Sequence, residues 1–296
     1  MDLSRAGVPP LTAPRADLHL HSTASDGTLP SAAVVRRAWE VGLDVIALTD
    51  HDSLAGVPEA VAMGRQLGVR VIPGCEFSVR VPWGEMHLLG YFLPFGHPAL
   101  EAFLEAARRM RYDRALQMVE NLQAWGVAIT MDDVMHEAGD SAIGRPHVAR
   151  ALLRLGKVPD LETAFEEFLG LGRRAYVEKV LPELAVVAEL VHSVGGLVSA
   201  AHLRDRATRV VLARLMEEGL DGLEVRHPRH PPELAAALNT LALSLGLLRT
   251  GGTDWHGEAQ ENGFPLGSLS IPIEWIGEME TRLPGREARV APGTTS

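Results

Sequence analysis

The sequence has a single cysteine, Cys75, which excludes an internal disulfide and fits a reducing compartment. It has no apolar run approaching the roughly 20 residues that a membrane span requires. Residues 1–16 contain Pro9, Pro10 and Pro14 but no long apolar stretch, so they do not read as a secretory leader. Basic residues are also in short supply: 28 against 38 acidic ones give a formal charge of −10. That deficit disfavours binding to nucleic acid through an extended basic surface. It leaves small phosphorylated partners open, because bound cations invert the local field. A soluble, cytoplasmic protein with no membrane partner is expected.

From Asp17 onwards, short apolar runs alternate with helical patterns. RADLHLHS reads as a strand, followed by a helix through AAVVRRAWEVG with Thr28 as its N-cap and Pro30 in its first turn. DVIALT is almost continuously apolar, as in a strand buried on both faces. VRVIPG reads as a further strand, and EFSVRV with MHLLGYF as a hairpin. The spacing turns helical from about Pro98 to Leu169, and alternation resumes near Pro182 with LVSAAH, DGLEV and LLRTGGTD as strands. The tail beyond about Ile273, ending ARVAPGTTS, reads as peripheral. Repeated strand–helix units imply a parallel α/β sheet. The polar residues decide between an open sheet and a barrel. His19, His21, Asp50, His51, Glu76, His202, Glu224, Asp254 and His256 all fall at or just after predicted strand ends, where barrel enzymes build their sites.

In DLHLH the two-residue period places Asp17, His19 and His21 on one strand face. Two imidazoles so placed can reach one cation. In TDHD, Asp50 and His51 point to opposite sides unless the strand is already turning. Glu76 stands in GCEF, His87 inside MHLLGYF, His202 after three small residues, and Asp254 with His256 in the glycine-flanked GGTDWHG. No one motif decides the matter, but the combination does. Histidines and carboxylates are costly to cluster without a cation, and mixed imidazole and carboxylate ligands suit Mn²⁺, Zn²⁺ or Fe²⁺ rather than Mg²⁺ or Ca²⁺ alone.

HLHSTASDG, LTDHD, GCE, MHLLGY, AAH and GGTDWHG, in this order between Asp17 and about Leu269, resemble the PHP (polymerase and histidinol phosphatase) family of metal-dependent phosphoesterases. The resemblance implies a distorted seven-stranded (β/α) barrel, here made of residues 17–94 and 175–272, with an all-helical insertion over 95–174. It implies three divalent ions, Mn²⁺ foremost with Zn²⁺ or Fe²⁺ as alternatives. His19, His21, Glu76 and Asp254 would hold one ion. Glu76, His87 and His202 would hold a second, with Glu76 bridging, and Asp26, His51 and His256 a third. Asp26 enters only through the resemblance, since SDGT alone reads as a turn. His202, Asp254 and His256 are assigned catalytic as well as ligand roles.

Within the family, GRPHVARAL resembles the subgroup that dephosphorylates nucleoside 3′,5′-bisphosphates and AMP-like nucleotides and trims short RNA from its 5′ end. Arg145 and His147 match positions that touch substrate phosphate there, and a guanidinium can grip phosphate with two donors. His230 matches a histidine near the substrate, with His227 competing for that assignment. The chain departs from the family in having Leu203 where proline is common. The expected partner is a nucleotide or short oligonucleotide. A phosphatase acting on a small amino-alcohol phosphate and a non-catalytic barrel module are the alternatives. The second would show lost ligands, and none of the nine positions is lost.

Overall fold

The computed structural model describes residues 14–139, 141–257 and 264–284. Residues 1–13 and the ARVAPGTTS end, for which the sequence predicts no leader and a peripheral tail, lie outside that range. The first half alternates as predicted: β1 (Ala16–Leu20), α1 (Ser31–Glu40), β2 (Val45–Leu48), α2 (Val57–Leu67), β3 (Arg70–Val81) and β4 (Gly84–Tyr91). Helices follow: α3 (Pro98–Ala124), α4 (Met131–Ala138), α5 (Arg145–Arg154) and α6 (Leu161–Ala164), the last running into a π-helical turn over Phe165–Leu169. Then come α7 (Leu184–Ser193), β5 (Leu197–Ala200), α8 (Arg209–Glu217), β6 (Gly222–Arg226), α9 (Pro232–Leu245), β7 (Leu248–Gly251) and α10 (Ile273–Thr281).

The seven strands pair in chain order, parallel except for β4, which runs antiparallel to both β3 and β5. The sheet edges meet where Leu20 bridges Trp255 and the His21 N–H donates to the Trp255 carbonyl at 2.9 Å. This is a distorted (β/α) barrel. Leu18, Leu20, Ile46, Leu48, Ile72, Phe77 and Leu88 are buried against the surrounding helices, and the Tyr91 hydroxyl donates to the Leu18 carbonyl at 3.0 Å.

Three local expectations change. VRVIPG and EFSVRV are one strand, not two. The first half of β3 pairs parallel with β2 as far as Pro73, and the second half pairs antiparallel with β4 from Gly74 on. Gly74 permits the exchange, since a Cβ there would lie 2.9 Å from both the Gly90 carbonyl oxygen and Thr49. Pro30, not Thr28, is the N-cap of α1, and the Thr28 N–H instead donates to the His256 carbonyl at 2.7 Å. The chain beyond Ile273 is not peripheral as far as residue 284. Trp275, Ile276 and Met279 form one apolar stripe of α10, buried in the barrel core.

The helical segment has its own apolar cluster, including Met118, Val119, Leu122, Val134, Val148, Leu152 and Leu169. α3 serves both cores: Leu100 and Leu104 near its start belong to the barrel, while Met118 and Leu122 belong to the helical cluster.

Candidate metal centre

Alternation along β1 sends Leu18 and Leu20 outward and keeps Asp17, His19 and His21 on the barrel's inner face. The backbone passes very close to its neighbour here: a Cβ on Gly252 would lie 2.4 Å from the His19 nitrogen. Asp17 does not join the cluster. It accepts from the Thr253 N–H at 3.0 Å, the Thr253 hydroxyl at 2.6 Å and the His19 N–H at 3.2 Å, tying β1 to the GGTD turn. Asp50 does similar work for the 22–26 loop, accepting from the Ser22 N–H and the hydroxyls of Ser22 and Ser25, each at 2.7 Å. His51 turns the other way, as the opposed faces of TDHD require.

Glu76 lies at the centre of the cluster. Its Oε2 is 3.2 Å from Nε2 of His19, Nε2 of His21 and Nδ1 of His51. Its Oε1 is 2.8 Å from Nδ1 of His87 and 3.2 Å from Nε2 of His202. Asp254 Oδ1 stands 3.3 Å from His19 Nε2 and 3.2 Å from His21 Nε2. Asp26 Oδ1 is 3.3 Å from His256 Nε2, and Asp26 Oδ2 is 3.9 Å from His51 Nε2. Three groups result whose donor atoms could share an ion: His19–His21–Glu76–Asp254, His51–Glu76–His87, and His21–Asp26–His51–His256. His202 faces the middle group through Glu76, and His21 and His51 each stand in two groups.

The donor chemistry fits divalent cations. Nε2 of His19, both ring nitrogens of His21, Nδ1 of His51 and Oε2 of Glu76 are buried without a hydrogen-bond partner. Separations near 3.2 Å between donor atoms are what ~2.1 Å metal–ligand bonds impose at angles of about 90–110°. The electrostatics agree. Burial opposes protonation of His21, yet Asp254 and Glu76 outweigh it and raise its pKa to about 10. Burial likewise opposes a charge on His87, and Glu76 with Glu85 raises it to about 9. Glu76 is held well below the usual carboxylate range, its burial outweighed by His51, His87 and His19. These carboxylates demand positive charge, and metal ions can supply it in place of protons.

Backbone strain gathers at the same place. Asp52, His202 and Asp254 adopt φ of +46°, +32° and +53°, a region that non-glycine residues seldom enter.

The other predicted residues are distributed unevenly. A cavity of about 220 Å³ is lined by His51, Glu76, His87, His202, Asp254 and His256 together with His227, Arg204 and Arg229. His227, with Nε2 3.5 Å from Asp254 Oδ2, faces it; the His230 ring lies 5.3 Å from that of His227, tilted by 51°, and its Nδ1 pairs with the Val225 carbonyl at 3.0 Å. Arg145 lies in the helical segment, its guanidinium carbon 5.9 Å from the Phe165 ring and 6.0 Å from the Tyr176 ring. His147 is buried, and its Nδ1 accepts the Gly144 N–H at 2.9 Å, closing the first turn of α5. A second cavity, about 390 Å³, runs between α3 and residues 177–182, with Phe103, Met110, Arg111, Arg114 and Lys179 among its walls. Sequence reasoning gave Glu224 no role and left Arg204 and Arg229 unremarked. The signal for Arg204 and Arg229 was position after a strand, and for Glu224 position near the end of one.

The PHP domain family matches residues 17–223. A 5′-3′ exoribonuclease of Haemophilus influenzae is 32% identical over 86% of this chain and 92% of its own length. A 3′,5′-nucleoside bisphosphate phosphatase of Chromobacterium violaceum is 33% identical over 85% of this chain and 90% of its own length. A crystal structure from Bifidobacterium adolescentis, described as that of a metal-dependent phosphoesterase, superposes with a TM-score of 0.83 at 31% identity, covering 95% of this chain and all of the other.

Proposed function

The chain belongs to the PHP domain family of metal-dependent phosphoesterases, and on that footing we propose that it hydrolyses phosphomonoesters of nucleotides, nucleoside 3′,5′-bisphosphates or AMP-like molecules, and trims short RNA 5′ ends. The observation that carries this is Glu76, whose two carboxylate oxygens face separate sets of histidines. In this reading Glu76 would be shared between two ion sites. His19, His21 and Asp254 complete one site and His87 with His202 the other, while Asp26, His51 and His256 hold a third ion. Mn²⁺ suits the mixed nitrogen and oxygen donors best, ahead of Zn²⁺ or Fe²⁺.

Bound divalent cations supply Lewis acidity at phosphoryl oxygens and activate water near neutral pH. The chain's own residues do the rest. His202, Asp254 and His256 line the cavity in which this reading places the reacting phosphate. The proton for the leaving oxygen comes from an imidazole outside the ligand sets, His227, whose Nδ1 accepts the Arg229 N–H at 3.1 Å and so leaves Nε2 as the donor. Arg204 and Arg229 offer guanidinium donors to the phosphoryl oxygens at the same wall. Arg145 holds the phosphate that is not hydrolysed. His147, the other expected phosphate contact, closes the turn that presents Arg145, and of His230 and its competitor His227 we favour His227 as the substrate histidine because it lines the cavity.

The relatives' names favour nucleotide and RNA substrates. We read residues 17–94 and 175–272 as the barrel, with α10 packed on it, and 95–174 as a helical unit beside it; the two apolar clusters support this, although Leu100 and Leu104 pack in the barrel's and Ala175 in the helical one. Among the described residues no helix is long and apolar enough to cross a membrane; with Cys75 buried as a free thiol, a reducing cytoplasm is the compartment we assign.

The test is phosphate release by chelator-stripped protein, with Mn²⁺, Mg²⁺ or Zn²⁺ restored, over a panel of nucleoside bisphosphates, AMP, 5′-phosphorylated oligoribonucleotides and sugar phosphates. Preference for bisphosphates with Mn²⁺ supports the reading. Equal or better turnover of non-nucleotide phosphates refutes the substrate assignment.

A further inference from the structure

Asp52 is a buried, strained carboxylate that no ligand set uses. One oxygen, Oδ2, receives both Nε of Arg111 at 2.8 Å and Nη2 of the same guanidinium at 2.5 Å. Its Oδ1 accepts the Ser78 N–H at 3.3 Å, and its own N–H donates to the Glu76 carbonyl at 3.0 Å. The residue before it is His51, whose backbone bridges to Glu76. Arg111 lies on α3, 59 positions away, and its Nη1 also donates to the Ile143 carbonyl at 3.3 Å in the loop before α5. Both partners are largely buried, at 12% and 9% side-chain exposure.

The same helical segment grips the other loop of this part of the site. The Ala142 N–H donates to the Ala24 carbonyl at 3.3 Å, two residues before Asp26. His147 Nε2 stands 3.3 Å from Oγ of Ser141, the residue before Ala142, and so supports the same turn. Asp26 and His51 thus stand on loops, outside β1 and β2, and the helical unit braces both. His19 and His21 need no such brace, since β1 itself fixes them.

We infer that Arg111, acting through Asp52, is a positioning residue for His51 and Asp26, so that the helical unit sets cation occupancy at the Asp26–His51–His256 side of the centre. The physical reason is the geometry of the guanidinium. Its two donors converge on Oδ2 while the Ser78 N–H holds Oδ1, so the carboxylate is oriented from both sides, and the strained backbone at φ +46° needs an outside hold to persist. Supports of this kind change metal affinity by about 10- to 100-fold. The inference rests on the cluster being a metal centre, and the experiment separates the two.

Chelator-stripped protein is titrated with Mn²⁺ while electron paramagnetic resonance counts free ion. The variants are Arg111→Lys and the double variant Arg111→Met/Asp52→Asn, with His256→Ala marking which class of sites belongs to the third group. The double variant leaves no unpaired buried charge, and circular dichroism melting reports its fold. Folded double variant is expected to bind Mn²⁺ at least ~10-fold more weakly in the class that His256→Ala removes, with the other classes unchanged and Arg111→Lys between. Wild-type binding in the double variant, or equal weakening of every class, overturns the inference. Absence of Mn²⁺ binding by the unsubstituted protein overturns the metal reading beneath it.

Discussion

Oε1 of Glu224 lies 3.0 Å from Nδ1 of His19, so the carboxylate holds the inner nitrogen of that ring and leaves Nε2 facing Glu76 and Asp254. Its other oxygen accepts the His202 N–H at 2.7 Å, bracing a residue whose backbone is strained. Glu224→Gln keeps the shape but reverses one partner. Its oxygen can still serve His202, whereas its amide N–H₂ then faces His19 Nδ1 and favours the tautomer with Nε2 protonated. Metal affinity should fall by about 10- to 100-fold with little change in melting temperature. Titration of the stripped variant by calorimetry checks this, and unchanged affinity would show that the tautomer is set elsewhere.

Glu76→Ala removes donors from two groups at once. More than one equivalent of metal should be lost and phosphatase activity should fall by at least ~10³-fold. Elemental analysis of the purified variant is the measurement. Full metal content there would mean that Glu76 does not bridge.

Arg145→Ala should leave metal content intact and lower kcat/KM on bisphosphates by about 10²-fold, on a charged hydrogen bond worth ~2–3 kcal/mol. A monophosphate should suffer far less. Equal losses on both would assign Arg145 to packing between Phe165 and Tyr176 instead.

Burial, reinforced by Arg150 and Arg111, pushes the pKa of His147 down to about 4. A histidine lowered on folding favours the folded state above its unfolded pKa of about 6.5 and penalises it as pH falls from there through about 4. The penalty is on the order of 3 kcal/mol once the pH is below 4. His21 and His87, raised on folding, act in the opposite direction in both proteins, so the test is a difference: in urea unfolding of the stripped proteins, His147→Gln should gain stability relative to the unsubstituted chain on going from pH 7 to pH 5. An identical difference in both proteins would place the sensitivity elsewhere.

Much of the barrel was legible because local periodicity encodes faces. The two-residue period of DLHLH put His19 and His21 side by side, and strand ends marked Glu76, His202 and Asp254. The parallel pairing of most strands followed from the alternation. Pairing across distance was not legible. Nothing near Asp52 points to Arg111, and nothing in DGLEV shows that Glu224 turns toward His19. The continuity of β3 was hidden because proline and glycine at positions 73 and 74 look like a stop, although Pro73 sits in the parallel half and Gly74 admits a crowded neighbour. α10 was overlooked because only three of its residues, Trp275, Ile276 and Met279, are buried. His227 and His230 are too close in sequence for pattern to choose between them; of the two, His227 lines the cavity.

Anomalous diffraction at the manganese edge, from crystals grown with Mn²⁺, tests the central claim most directly. Peaks should flank Glu76, one within ~2.0–2.3 Å of donor atoms from His19, His21 and Asp254, and another within the same reach of His87 and His202. A map with no peak at bonding distance from either Glu76 oxygen would contradict the account.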